Sequence, residues 1–142
     1  MTSNGDGIRL ADVVEAAGAP PTDAADMERR ARREFAALLG EFRRTAVLVP
    51  LDAEGNFWTA ELGGIRWLCA FSDEGTLAAF ARARGEGARE WTYERILGAR
   101  ILDAMVPLVD GPCGVALDAG DEDGVLFPPV VGIVPDAVAV DA

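Results

Sequence analysis

The acids and two thiols carry what reactive chemistry this 142-residue sequence has, because it contains no histidine and all thirteen of its cations are arginine. A Ser-His-Asp triad, a Cys-His pair and a His-ligated metal are therefore excluded. Schiff-base chemistry, a Ser-Lys dyad and a P-loop lysine go with the missing amine. Asp118, Asp121, Glu122 and Asp123, followed by Gly124, form the densest oxygen cluster, and oxygen ligands suit Ca²⁺ or Mg²⁺. The EF-hand spacing fails. With Gly124 in the loop's sixth position, Ala119 would stand first and Val130 last, and neither side chain can ligate. A solvated turn is expected rather than a metal site, with Asp118, Asp121 and Asp123 the donors were a cation to bind.

Two carboxylates in predicted strands, Glu61 and Glu90, are the pair that an acid–base hydrolase would need, one of them in apolar surroundings that raise its pKa. Polar positions on a half-exposed strand explain them equally. Cys69 and Cys113 form no CxxC and each sits in an apolar run, which reads as two reduced core thiols. They could be bridged only from neighbouring strands. Gly63-Gly64 and Gly85-Glu86-Gly87 do not make GxGxxG, so no nucleotide and no other cofactor is expected.

The elements that must position these groups follow from periodicity and punctuation. Met1–Gly7 is a polar tail without a basic or apolar leader segment, so no signal peptide is expected. Ile8–Ala17 has helical spacing and stops at Gly18 and Pro20-Pro21. Thr22 or Asp23 caps a second helix, whose apolar stripe is Met27, Ala31, Phe35, Leu38, Leu39 and Phe42. Acids interleave with its arginines as i,i+4 partners (Asp26–Arg30, Glu28–Arg32, Arg30–Glu34), so this basic stretch reads as a solvated face rather than a nucleic-acid stripe.

From Thr45 the period changes to that of strands. Thr45–Leu51, Phe57–Leu62 and Ile65–Phe71 read as an antiparallel meander, joined by an Asp52–Asn56 turn and a Gly63-Gly64 hairpin. Ser72-Asp73 opens a helix that ends near Arg84, ahead of Gly85. Ala88–Tyr93 reads as a strand and Ile96–Met105 as a helix that Gly98 weakens by about 1 kcal/mol relative to alanine. Cys113–Leu117 and Val125–Phe127 are strands around an Asp118–Gly124 loop. The fold class is α+β: a mixed, largely antiparallel sheet with helices packed on it and an N-terminal helical segment. Residues 1–34 read as a tail and helical extension, and 35–142 as the α/β domain, the whole a single compact unit.

A formal net charge of −11 repels phosphate backbones and anionic lipid heads, so neither nucleic acid nor membrane is an expected partner. The longest apolar runs fall well short of the roughly 20 residues that a membrane span needs. With unpaired cysteines, this points to the cytoplasm. Trp58, Trp67 and Trp91 fall in predicted strands, Trp67 on the core face with Ile65, Cys69 and Phe71. Were the sheet covered on one side only, Trp58 and Trp91 could stand on the open face as a partner-binding strip, with Arg66 beside the core tryptophan. The partner would be a protein, a basic one by charge complementarity, or a second copy of the chain.

The order of motifs resembles the SseB-like family. A helix runs into a Val-Pro strand (Phe35–Leu51), followed by a hairpin, Trp67–Glu74, Leu77–Phe80, a helix with Leu102, and Gly114–Asp118 with a glycine-containing turn before Pro128. Asp118-Ala119-Gly120 stands where that family has Asn-Pro-Gly, and Asp121-Glu122-Asp123 enlarges the turn. The resemblance covers about residues 35–135. It implies a non-enzymatic α/β domain, in some members linked to secretion or toxin–immunity systems, and brings no catalytic residues. Two readings follow: a non-catalytic protein-interaction domain, or a small-molecule-binding or carboxylate-based hydrolytic enzyme built on Glu61, Glu90 or the acidic loop.

Overall fold

In the computed structural model, residues 23–140 are described. The expected tail at 1–7 and helix at 8–17 lie outside them. The chain divides into two compact units, Met1–Leu38 and Leu39–Ala142, a boundary four residues beyond the one read from the sequence and inside a helix. That helix, α1, spans Ala24–Arg43. Asp23 caps it, its carboxylate accepting the Asp26 N–H at 2.9 Å. Its period is helical as expected, but the stripe is buried only at Phe42, which belongs to the second unit, while Met27 and Leu38 are exposed. On its polar face Arg29 pairs with Asp26, one turn apart, rather than in the i,i+4 pattern expected.

The second unit is α+β. Its strands are β1 (Ala46–Pro50), β2 (Thr59–Leu62), β3 (Ile65–Ala70), β4 (Tyr93–Leu97), β5 (Cys113–Leu117) and β6 (Val125–Phe127). Four form one sheet in the order β2-β3-β5-β6, antiparallel except for the parallel β3–β5 pair. β1 pairs antiparallel with β4 instead, so the three-stranded meander expected from the sequence does not form. Pro50 has no N–H to extend a ladder toward β2. Contact in that direction shrinks to a Leu51–Phe57 bridge and the Trp58 N–H donated to the Pro50 carbonyl at 2.9 Å. Reciprocal Leu48–Phe71 hydrogen bonds, both 2.8 Å, join β1 to the end of β3.

Alternation along the strands makes two cores. Leu68, Val115 and Phe127 are successive cross-strand partners on one face, where the Phe42 ring stacks on Phe127 at 4.7 Å. The other face carries Leu48, Cys69, Phe71 and Ala116, covered by Leu77 from α2 (Glu74–Ala83). The chain then leaves β4 through a short helical run: α3 (Gly98–Arg100), a π-helical turn (Ile101–Met105) and a 3₁₀ turn (Val106–Leu108). Both the strand expected at 88–93 and the helix expected from 96 are displaced. Ile96 and Leu97 are taken into β4 by their partners Val47 and Ala46, and the strand starts only at Tyr93. Tertiary pairing with β1 overrides the local helical period there. Among the described residues no helix is long and apolar enough to cross a membrane.

Candidate functional site

A groove of about 570 Å³ lies between α2 and the segment that leads into β4. Its construction starts at the two ends of α2. Asp73 caps the helix in a reciprocal capping box with Thr76, the Asp73 carboxylate accepting the Thr76 N–H at 2.8 Å. At the other end the Gly85 N–H bonds the Arg82 carbonyl (3.0 Å) and the Glu86 N–H bonds the Ala81 carbonyl (2.8 Å). This is a Schellman stop, with Gly85 at φ +75° as such a stop favours. The Glu86 carbonyl then accepts the Trp91 Nε1–H at 3.1 Å, which folds residues 87–91 back alongside the helix. Gly87 lies so close to α2 that a Cβ there would stand 2.8 Å from Arg82 Cγ.

The buried Leu77 and Ala81 and the half-buried Trp91 form the apolar floor. Arg82 and Arg89 stand at one end of the walls and Glu74 at the other. Tyr93 donates its hydroxyl to the Glu74 carboxylate, and that bond raises the phenol's pKa. The Arg89 guanidinium lies 4.1 Å over the Trp91 ring, and its contacts to Glu86 (3.3 Å) and the Leu51 carbonyl (3.4 Å) are long. Behind the groove the aromatic packing continues. Trp91 meets Trp58 at 6.4 Å, Trp58 meets Phe80 edge-on at 5.5 Å, and the Arg84 guanidinium lies 4.8 Å over Trp58.

The residues singled out from the sequence scatter. Trp58 and Trp91 do come together, but in the connecting segments just before β2 and β4 rather than inside strands. Both are partly buried against the core cluster and roofed by arginines, not lying open on a sheet face. Arg66 sits apart on β3, where it ion-pairs with Glu61 at 3.6 Å and donates to Thr59 at 3.1 Å. Glu61 is held in that pair, and Glu90 is exposed in the segment ahead of β4.

Asp118 is buried at φ +56° with its carboxylate turned to Ser72, accepting the backbone N–H at 2.7 Å and the hydroxyl at 2.5 Å. It thus ties the end of β5 to the loop that starts α2. Asp121 accepts the Asp123 N–H at 3.0 Å in an exposed turn. Among the described residues no three acidic or cysteine side chains converge as a metal site.

The parallel register sets Cys69 opposite Ala116 and Cys113 opposite Arg66, which puts the two thiols on opposite faces of the sheet, and both are free. Burial pushes the Cys69 thiol up to about 11 against a smaller opposing effect of Arg84, and raises Cys113 as well. A buried thiol with so little thiolate is a poor nucleophile.

Arg82, Arg84, Arg89 and Tyr93 escaped the sequence reading. The available signal was three arginines flanking Gly85-Glu86-Gly87 in an otherwise acidic chain. Comparison of the chain with family models, curated proteins and solved structures returns no match.

Proposed function

We propose that this protein is a non-catalytic interaction domain that receives a segment of a protein partner in the groove between α2 and the chain leading into β4. The observation that carries this reading is the groove itself. Its floor is apolar and its walls are built from capped, tightly bonded backbone, which is the form of a preorganised docking site. Supporting it is the chemistry of the lining: the one carboxylate there, Glu74, is engaged by Tyr93, and the chain has neither imidazole nor amine side chains to move a proton near neutral pH. A cytoplasmic location and kinship with the SseB-like family belong to the same proposal, resting on the free thiols and on the order of motifs.

The test is site-specific photo-crosslinking in the cells that make the protein. A photoreactive residue replacing Ala78, on the groove wall, should capture a discrete protein species that the same residue at Asp110, in an exposed loop away from the groove lining, does not. Identical patterns from both positions would refute a groove-centred function.

A further inference from the structure

We infer that the groove selects an acidic peptide segment carrying an apolar anchor, an inference that rests on the docking reading above. The charge of the whole chain, −11, argues for a basic partner, but the groove is locally reversed. Two guanidiniums and one carboxylate line it, and they are separated along its length. Glu74 and Arg82 stand at opposite ends of α2, eight residues and so about 12 Å apart. Glu74 is already occupied by the Tyr93 hydroxyl. Both arginines, at the other end, still have capacity.

Arg82 makes no ion pair or hydrogen bond with its side chain among the described residues, and its stem is held against Gly87, where a side chain would displace it. The Arg89 guanidinium carbon lies 4.1 Å over the Trp91 ring, and of the five N–H donors a guanidinium carries, two are used, on Glu86 and the Leu51 carbonyl at 3.3 and 3.4 Å. A carboxylate arriving at this end therefore meets the unpaired Arg82 guanidinium and the remaining N–H donors of Arg89, which Glu86 and the Leu51 carbonyl hold in place. An aliphatic or aromatic side chain two to four residues away in the peptide would reach the floor made by Leu77, Ala81 and Trp91. A basic peptide would instead set its charge against Arg82 and Arg89 and find Glu74 and Glu86 already engaged, by the Tyr93 hydroxyl and by Arg89.

The test uses the full chain and two fluorescein-labelled peptides of about twelve residues with the same leucines and phenylalanines. One is rich in aspartate and glutamate, the other in lysine. Anisotropy titrations at about 50 and 300 mM salt separate electrostatic from apolar binding. The acidic peptide should bind at least about tenfold more tightly than the basic one and weaken with salt. Arg82→Glu should remove that preference. Arg82 is exposed, so its substitution leaves the fold intact even if Arg89→Glu, which also loses the Trp91 stack, does not. Equal or tighter binding of the basic peptide, still blocked by the neutral, bulkier Ala78→Gln in the groove wall, would overturn the acidic preference and leave the docking reading standing. Binding of either peptide that is indifferent to Ala78→Gln, or no binding of either, would overturn the inference, and the crosslinking result then decides the docking reading on its own.

Discussion

Gly98→Ala is the substitution for which local and tertiary physics give opposite signs. Gly98 opens α3, and by helix propensity alone alanine there gains about 1 kcal/mol. In the fold, Gly98 is buried against the end of α1, and a Cβ would stand 2.0 Å from the Phe42 carbonyl oxygen and 2.7 Å from its carbonyl carbon. The obstacle is backbone and cannot rotate away, so the two segments must separate by about 1 Å to reach 3.0 Å, the closest approach real Cβ atoms make.

That movement works against the Gly98 N–H bond to the Thr45 carbonyl (2.9 Å) and the Phe42–Phe127 stack (4.7 Å). Overpacking of this kind costs about 1–3 kcal/mol, and a weakened hydrogen bond adds about 1 kcal/mol. After the propensity gain, G98A should lose about 1–3 kcal/mol, or roughly 4–12 °C in Tm for a unit of this size. Urea unfolding followed by tryptophan fluorescence measures it, with A99G next door as the control that should lose only the propensity difference of about 1 kcal/mol. If G98A proves as stable as the parent or more so, the close approach of α3 to Phe42 is wrong.

Asp118→Ala should cost about 2–3 kcal/mol in the same assay, because it strands the Ser72 N–H and hydroxyl, while Asp118→Asn, which retains an acceptor and tolerates φ +56°, should cost less. A loss under about 0.5 kcal/mol for Asp118→Ala would mean that the carboxylate is no clamp. The folded Cys69 thiol keeps its proton to higher pH than the unfolded one. Its contribution to stability is therefore complete below about pH 9 and is lost as pH climbs toward 11, with a slope approaching 1.4 kcal/mol per pH unit. Cys69→Ala should flatten that decline, and an unchanged slope would count against its burial. Gly85→Ala, which puts a side chain at φ +75°, should cost about 1 kcal/mol and loosen the groove's end, read as faster amide exchange at Glu86.

Features that depend on near neighbours in the chain are legible in the residues alone. The capped starts at Asp23 and Asp73, the glycine stop at Gly85, the Gly63-Gly64 hairpin and the strands Cys113–Leu117 and Val125–Phe127 are all decided within a few residues by side-chain hydrogen bonds, φ preference and alternation. Whatever needs a distant partner is settled only when the chain folds. The period of Ile96–Met105 is helical, yet Ile96 and Leu97 became strand because Val47 and Ala46 offered them a ladder. Gly98 reads locally as a flaw in a helix and is instead the place where the Phe42 carbonyl packs against a bare Cα. Asp118 looked like a surface donor and is a buried tie to a serine 46 residues away. The groove was illegible for the same reason: Arg82 and Trp91 face one cleft only because a Schellman turn folds the chain back on α2, and no periodicity within either segment encodes that meeting.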